Sequence, residues 1–480
     1  MSERADGSGS AVAQPREVLA LAVPAFLALV AEPLFLLVDS AVVGRLGVVP
    51  LAGLGAASAV LLTVAGIFVF LAYGTTSVVA RRMGAGREAE AVETGLAGVW
   101  LAVGLGVVTA AVVAAGAAPF VGRVVSSPAA LEQAVTYLRI SALGLPAMLV
   151  ALATTGILRG LLDTRTPLVV ATLGFGANAA LSVLLVLVAG LGIAGAAWGT
   201  VVAQTGMALA LTAVVLRHAR RVGASVRPHP GRVLSAALGG VPLVVRTLAL
   251  RGVLLLLVAG AASFGDVPLA AHQVTATVWT FLTFALDALA IAAQALTGRA
   301  LGAGDVARAR ASTALMVRWG VLGGAVLGAL VLAMHTVLPT LFTQDEDLRR
   351  AIAAGLVVVA LGTPLAGYVF VLDGVLLGAG DNRYLSVSMV LLLGLTVPVV
   401  LLAQALVPRL GGPDAGGGGR DGGCTGATIP LLGEVSPAGV AVMSLWVAMT
   451  VFMAMRGGLL GARLRGEGWA VVGADRGGRS

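Results

Sequence analysis

Long apolar stretches alternate with short polar breaks along almost the whole chain. A helix that crosses a membrane needs about 20 mostly apolar residues. Division of the sequence at its charged and Gly/Pro clusters leaves twelve stretches of that kind. They predict helices over residues 18–44, 51–80, 90–118, 130–157, 167–189, 191–217, 234–263, 268–298, 308–336, 347–377, 384–407 and 437–461. The pattern therefore predicts an all-α membrane protein with twelve transmembrane helices.

The polar segments divide these helices into two groups of six. The first apolar stretch is too long for the core of a signal peptide, so we expect it to be retained as the first membrane helix. The groups span residues 18–217 and 234–461. The remaining segments are an N-terminal tail (1–17), a basic linker (218–233), a glycine-rich external loop within the second group (408–437) and a C-terminal tail (462–480).

An internal repeat relates the two groups. Three short motifs recur at the same separation of 218 residues, which corresponds to six predicted helices. The paired motifs are Val23–Pro24 with Val241–Pro242, Gly84–Gly86 with Gly302–Gly304, and Gly160–Arg165 with Gly378–Arg383. Because six is even, both halves have the same orientation, which predicts two parallel lobes around a central cleft. This architecture favours a transporter, although channels and membrane enzymes can also arise by gene duplication.

The arginines are concentrated in alternate breaks between helices. The rich set includes Arg81, Arg159, Arg217, Arg299 and Arg456, and the opposite set holds far fewer. The positive-inside rule places the rich set in the cytoplasm. We therefore expect a multi-pass protein of the bacterial inner membrane with both termini in the cytoplasm.

The composition agrees with a membrane protein and excludes several other functions. Charged residues make up 11% of the chain and its mean hydropathy is +1.00, whereas soluble domains contain about 25% charged residues. The basic balance does not predict nucleic-acid binding, because the arginines form short clusters between apolar segments. One Cys and four His provide no disulfide framework, metal site or cofactor site. No phosphate-binding loop or catalytic motif is present, so we expect a protein that is not an enzyme.

The first predicted helix carries two acidic residues that need an explanation at bilayer depth. Glu32 and Asp39 are seven residues apart and share one helix face. Pro24 and Pro33 lie in the same helix and permit it to bend. A carboxylate next to a bendable point suits a proton-driven switch. The alternative is that Asp39 reaches water at the external end and that Glu32 pairs with an arginine.

Polar residues on the fifth and sixth helices form a candidate partner set for Asp39. Asn178 and Ser182 are one turn apart, as are Thr200 and Gln204. They predict a polar pocket around Asp39, and the alternative is that each stabilises helix–helix packing by hydrogen bonds.

The second half has polar residues of its own within predicted helices. With Glu32 and Gln204, the candidate substrate cleft contains Arg246, His272, Gln273, Asp287 and Asp373. Arg246 can neutralise Asp373 or Asp287 across the cleft, or form a buried structural ion pair. At the cytoplasmic rim, the repeated pairs Asp163–Arg165 and Asp381–Arg383 suggest a gate or hinge; a turn with a helix-capping Asp is the alternative.

Several of these motifs resemble the multidrug and toxic compound extrusion (MATE) family, and more narrowly its bacterial DinF-like branch. The resemblance rests on the stretches Ala31–Leu34, Val38–Gly47, Arg159–Pro167 and Leu372–Asp381. It implies a fold of twelve helices in two parallel lobes, and export of organic, often cationic, compounds driven by protons or cations. It also implies that Asp39 is the coupling carboxylate, with Pro24 as the bending point and Asn178 and Thr200 as polar partners.

One departure from the family pattern concerns the coupling ion. Several relatives carry a second Asp one turn after the asparagine, where this chain has Ser182. The loss of that ligand weakens the case for a sodium site and favours proton coupling, with Na⁺ as the alternative. We therefore expect a monomeric, lipid-embedded antiporter that exchanges protons for small amphipathic, cationic compounds. A flippase for lipid-linked precursors, supported by Arg246 and Arg251, and a membrane-embedded enzyme or receptor are the rival interpretations.

Overall fold

The computed structural model describes residues 15–123, 125, 127–410, 427–429 and 433–474. Side chains are described within these ranges except at positions 32, 34–36, 408–410, 427–429 and 433–434. Most of the predicted N-terminal tail and of the predicted glycine-rich loop therefore lies outside the described residues.

The first half of the chain folds into nine α-helices. Their bounds are α1 Pro15–Gly44, α2 Val48–Phe68, α3 Phe70–Gly84, α4 Glu88–Ala115, α5 Ala117–Val121, α6 Pro128–Ala142, α7 Leu145–Gly160, α8 Arg165–Val183 and α9 Gly192–Arg221. A π-helical turn, Leu184–Val188, extends α8. These helices pack mainly against one another and form the amino-terminal lobe.

The second half contains six long helices and one short β hairpin among its described residues. Their bounds are α10 Pro230–Ser263, α11 Asp266–Gly302, α12 Val306–Met334, α13 Glu346–Gly378, α14 Asn382–Leu410, β1 Ala427–Ile429, β2 Gly433–Val435 and α15 Pro437–Arg465. A 3₁₀ turn, Leu338–Leu341, precedes α13. Helix α13 is central to the carboxy-terminal lobe, since it packs against α11, α12 and α15.

The described helices supply the expected membrane spans. Ten helices or continuous helix runs are long and apolar enough to cross a membrane, and the pair α6–α7, bent by 49°, forms an eleventh. Helix α1, 30 residues long, brings the number to twelve. The all-α membrane class is confirmed, and the twelve-helix prediction is consistent with this count.

Some element boundaries differ from those predicted. The second span is interrupted at Val69, between α2 and α3, and the fourth is broken between α6 and α7. A span that lies in lipid is apolar on every face, so a break inside it leaves no polar mark in the sequence. Helices α9 and α10 also extend into the predicted linker, which leaves only residues 222–229 between them. The β hairpin lies in the segment that was predicted to be a glycine-rich external loop, and Val435 at its end is buried.

The two copies of one repeated motif meet where the lobes touch. Gly84, at the end of α3, lies so close to α11 that a Cβ built there would be 2.0 Å from the carbonyl oxygen of Arg299. A Cβ built on Gly302 would in turn be 1.9 Å from the carbonyl oxygen of Arg81. The contact is reciprocal because the residues are related by the 218-residue repeat. At this arginine-rich end the lobes are therefore in direct backbone contact.

We expect Gly84→Ala to force the lobes apart at this end. An added methyl group collides with a backbone carbonyl that has no flexible atoms to move, and overpacking of this kind costs about 1–3 kcal/mol. Spin labels on cysteines introduced at the exposed positions Arg87 and Arg310, with Cys424 replaced by Ser, would report a longer distance across the rim. Gly104→Ala on α4 is the matched control, since no atom lies within 4 Å of the added Cβ. An unchanged distance in Gly84→Ala would contradict the prediction.

The segment that follows the last helix crosses the same lobe interface. The Arg81 guanidinium, from α3, donates to the carbonyl oxygens of Val471 at 2.7 Å and Gly473 at 2.9 Å. Its other terminal nitrogen donates to the carbonyl of Ala379 at 3.0 Å, and the Gly473 amide donates to the carbonyl of Leu301 at 3.0 Å. The segment thus binds both lobes at the arginine-rich end.

Candidate functional site

Asp39 lies in a polar pocket inside the amino-terminal lobe. Its side chain is 5% exposed, and α1 presents it to one face of α8. The Asn178 side-chain amide donates to Asp39 Oδ2 at 2.9 Å, and the Ser182 hydroxyl donates to Oδ1 at 2.8 Å. Because Asn178 and Ser182 are one turn apart on α8, both reach the same carboxylate.

Helices α6 and α9 complete the surroundings of this carboxylate. Tyr137, a buried residue of α6, lies close to Asp39, Thr200 and Ser141. Thr200 itself donates to the carbonyl oxygen of Ala196 at 3.1 Å, so it belongs to the pocket through Tyr137. Sequence reasoning missed Tyr137, because a single tyrosine in a helix carries no distinguishing pattern.

The pocket can accept Asp39 in two protonation states. Both hydrogen-bond partners of Asp39 among the described residues, Asn178 and Ser182, are neutral. An isolated charge at bilayer depth costs about 2.5–3.5 kcal/mol on insertion scales, so a carboxylate without a cationic partner gains by binding a proton. The Ser182 hydroxyl can then accept a hydrogen bond instead of donating one.

A different arrangement holds the buried carboxylate of the other lobe. Asp373 on α13 lies between two buried guanidinium groups, Arg246 from α10 and Arg456 from α15. Arg456 donates to Asp373 Oδ1 at 2.7 Å, and Arg246 donates to Oδ2. Arg456 counts among the predicted cytoplasmic arginines, yet it falls within the helix predicted over 437–461, and the structure buries it within α15.

A second polar cluster bridges the two lobes. The Tyr73 hydroxyl, from α3, donates to the Asp287 carboxylate of α11 at 3.0 Å. The Gln294 side-chain amide of α11 donates to the Tyr73 carbonyl at 2.6 Å. Arg159 interacts electrostatically with both Tyr73 and Asp287. The arginine distribution predicts a cytoplasmic break at Arg159, but this residue lies within α7, where Asp287 provides an opposite charge.

We expect Tyr73→Phe to weaken the connection between the lobes. The variant removes a hydrogen bond to the half-buried Asp287 carboxylate, and hydrogen bonds to charged groups contribute about 1.5–3 kcal/mol. Thermal unfolding in detergent should show a clear fall in Tm. Tyr384→Phe is the matched control, because its hydroxyl donates to a neutral carbonyl within one lobe, that of Leu459, and should cost only about 0.5–1.5 kcal/mol. A fall in Tm for Tyr73→Phe that is equal to or smaller than the fall for Tyr384→Phe would contradict the expectation.

The other candidate cleft residues do not come together in one site. His272 is buried in the carboxy-terminal lobe against the Trp446 ring, with 5.5 Å between ring centroids, whereas Gln273 is exposed. The Gln204 side chain lies against Gly144, at the break between α6 and α7. The Glu32 side chain lies outside the described residues.

The predicted rim and hinge residues are also separate from the Asp39 pocket. Asp163 accepts hydrogen bonds from the backbone amides of Arg165 at 3.1 Å and Thr166 at 2.9 Å, which is helix-capping geometry. Its repeat partner Asp381 pairs instead with Arg463 at 2.7 Å. The Arg165 and Arg383 side chains are exposed. Pro24 and Pro33 both lie within the continuous helix α1.

The repeat does not duplicate the carboxylate pocket. Residues 218 positions after Asp39, Asn178 and Ser182 are Leu257, Thr396 and Val400. All three counterparts are buried in the carboxy-terminal lobe. The two lobes thus share a backbone plan but differ in buried charge. Within the described part of the chain, no group of three or more His, Cys, Asp or Glu residues could hold a metal ion.

Comparisons with known proteins identify relatives over most of the chain. The MatE family model matches residues 24–184 and 242–402, two segments that are themselves separated by 218 residues. The Arabidopsis thaliana protein DETOXIFICATION 44, chloroplastic, is 32% identical over 388 residues, which cover 78% of this chain and 74% of that protein. The Escherichia coli DNA damage-inducible protein F is 28% identical over 460 residues, which cover 91% of this chain and 89% of that protein.

Solved structures show the same fold. An outward-facing multidrug resistance MATE family transporter of the MOP superfamily superposes with a TM-score of 0.79 and 18% identity, over 94% of this chain and 95% of that chain. A MATE crystal structure in the straight conformation gives a TM-score of 0.77 at 19% identity, again over 94% of this chain and 95% of that chain. From the family model and the curated relatives together, the chain belongs to the MATE family of multidrug transporters and is a membrane transporter, not an enzyme.

Proposed function

We propose that the protein is a proton-coupled antiporter that exports small amphipathic organic compounds by alternating access. The observation that supports this proposal is the Asp39 pocket. A buried carboxylate with two neutral donors can gain and lose a proton within the bilayer, whereas Asp373 is held charged between two arginines. Only the amino-terminal lobe has a carboxylate at the Asp39 position of the repeat. Asp39 is accordingly the coupling residue in our proposal.

The ligand chemistry around Asp39 favours a proton over a sodium ion. Hard cations take oxygen ligands. Asn178 directs its side-chain nitrogen toward the carboxylate, and Ser182 offers one neutral oxygen. A metal cation would require the Asn178 amide to turn and present its oxygen, whereas a proton would not.

The arginine distribution supports one orientation in the membrane. We propose that the arginine-rich end faces the cytoplasm of a bacterial cell, with both termini on that side of the inner membrane. The backbone contacts of Gly84 and Gly302 then close the cytoplasmic entrance in this conformation. Rocking of the lobes about this contact would expose the cleft alternately to the two sides, and a monomer is sufficient for this motion.

Transport in proteoliposomes under separate ion gradients tests the proposal. Vesicles that contain the protein and a trapped pH-sensitive dye are exposed to a panel of amphipathic dyes of both charges. We expect proton movement that depends on dye movement, abolished by a protonophore and unaffected by Na⁺. Transport that follows a Na⁺ gradient at constant pH would overturn proton coupling.

The flippase interpretation has lost part of its support. Of the two arginines that favoured it, Arg246 is bound to Asp373 in the interior of the carboxy-terminal lobe. Arg251 is exposed, with its guanidinium group against Gly66 of α2. Of the two arginines, the exposed one alone offers only a small binding surface for a lipid-linked pyrophosphate.

A further inference from the structure

The segment that follows α15, residues 466–474, crosses the seam between the lobes, and we call it the strap. Its first residues stay with the carboxy-terminal lobe: Arg463 of α15 donates to the carbonyl of Gly468 at 3.2 Å, and Trp469 is 1% exposed. Its last residues reach the amino-terminal lobe, where Arg81 of α3 donates to two of their carbonyls. A segment that continues one lobe therefore provides hydrogen-bond acceptors to the other.

Arg81 is bound at the seam by carbonyl groups of the carboxy-terminal lobe and of the strap. One terminal nitrogen donates to the carbonyl of Ala379, the residue that ends α13, at 3.0 Å. The carbonyl end of a helix has a partial negative charge, so it stabilises a guanidinium group. The other terminal nitrogen donates to the carbonyls of Val471 and Gly473. Because Arg81 is buried, these charge-assisted bonds are stronger than they would be in water.

The internal repeat indicates that the shared fold does not require this contact. The counterpart of Arg81, 218 residues later, is Arg299. The Arg299 side chain is exposed and makes no hydrogen bond or ion pair with the part of the chain that the structure describes. The positions 218 residues before the strap, 248–256, lie inside α10, so the strap itself has no counterpart. Two equivalent arginines thus differ because only one of them meets the strap.

Gly473 fixes the path of the strap at its far end. Its φ of +103° lies in the left-handed region, which residues with a side chain rarely adopt. In this conformation the Gly473 amide donates to the carbonyl of Leu301 on α11 at 3.0 Å, while the Gly473 carbonyl accepts from Arg81 at 2.9 Å. One residue is therefore bonded to both lobes at once.

We propose that the strap is a latch, which holds the lobes together at the arginine-rich end and must leave Arg81 before that end opens. The proposal rests on the alternating access proposed above, in which the lobes rock against each other. Such a motion separates α3 from the ends of α11 and α13, so it breaks the bonds of Arg81 to Ala379, Val471 and Gly473 together. The latch therefore lowers the fraction of molecules that are open at this end.

A buried cysteine at the seam can report the open fraction. Ser77 of α3 is 3% exposed, and its hydroxyl oxygen would lie 3.9 Å from a Cβ built on Gly380, just after α13. Ser77→Cys replaces an oxygen by a sulfur, and Cys424→Ser removes the natural cysteine, so the full-length protein has one thiol. In detergent micelles, a water-soluble maleimide reaches this thiol only while the lobes are apart. Where opening and closing are fast, the initial rate of modification is proportional to the open fraction.

Two matched pairs of variants in this single-thiol protein test the latch. Gly473→Ala places a side chain in the left-handed region, whereas Gly466→Ala in the same strap does not, because the φ of Gly466 is −78°. Arg81→Gln removes the guanidinium bonds across the seam, whereas Arg299→Gln changes the repeat counterpart that lacks them. We expect Gly473→Ala and Arg81→Gln to raise the modification rate about fivefold or more, and the two controls to stay within about twofold of the starting protein.

The outcomes separate the latch from the proposed function. An unchanged rate in Gly473→Ala, or a rise that Gly466→Ala shares, would overturn the latch. Thermal unfolding shows whether each variant is folded, and if Arg81→Gln is not, Gly473→Ala decides alone, because Gly473 lies outside the helices. The maleimide assay contains neither an ion gradient nor a substrate. Absence of proton-coupled transport would therefore remove the coupling proposal without changing these rates, and unchanged rates would remove the latch without changing the transport result.

Discussion

Replacement of Asp39 by asparagine should abolish proton-driven accumulation while the protein still folds. Asparagine has the same shape and remains neutral at every pH, so the variant can no longer carry a proton between the two sides. One pH unit is worth about 1.4 kcal/mol, or a tenfold concentration ratio for each proton. In proteoliposomes with a pH gradient of one unit, the ratio of substrate concentrations across the membrane should fall from about ten toward one.

The neighbouring serine provides the control for this experiment. Ser182→Ala removes one hydrogen bond from the carboxylate but leaves the titratable group in place. We expect Ser182→Ala to retain gradient-driven accumulation. Its transport rate should fall less than that of Asp39→Asn. Both variants should elute as monodisperse protein with a similar Tm. Wild-type accumulation by Asp39→Asn would remove Asp39 from the mechanism.

Replacement of Asp373 by asparagine should have the largest effect on stability. The change leaves Arg246 and Arg456 buried without an anionic partner. Removal of one partner from a buried ion pair costs about 3–5 kcal/mol. Thermal unfolding in detergent should therefore show a fall in Tm far larger than for Asp266→Asn, whose side chain is exposed at the start of α11.

A compensated variant separates loss of charge balance from loss of the carboxylate itself. Arg246→Met, Asp373→Leu and Arg456→Met together remove all three charges and keep the side chains large. Replacement of a buried ionic group by packed apolar residues is often neutral or stabilising, so the Tm should recover. A triple variant as unstable as Asp373→Asn would show that the carboxylate has a structural role beyond neutralising the arginines.

The architecture could be predicted from the sequence because the bilayer imposes it. Apolar length was sufficient for the helices, and the 218-residue repeat was sufficient for the two parallel lobes. Breaks inside apolar spans, such as those at Val69 and between α6 and α7, leave no trace in hydropathy. The same limit explains why Arg159 was placed in a loop, since it follows the helix predicted over 130–157 and lies within α7. An arginine near the end of an apolar stretch predicts a loop, unless its buried partner on another helix is already known.

Some contacts of the site could be predicted from the sequence and others could not. Residues one turn apart on a single helix could be grouped from spacing alone, and Asn178 and Ser182 do meet the same carboxylate in the structure. Contacts between helices that are distant in sequence could not be grouped in that way. Tyr73 meets Asp287 across 214 positions, and no periodicity relates one to the other.

The short segment after α15 has a practical consequence for work with this protein. Trp469 is almost completely buried, and its indole nitrogen donates to the carbonyl of Leu464 at 3.0 Å. Together with the acceptors that Val471 and Gly473 offer to Arg81, it makes residues 466–474 part of the folded body. Affinity tags and fluorescent fusions therefore belong after Ser480, and a chain shortened to Arg465 would purify as a different conformational mixture.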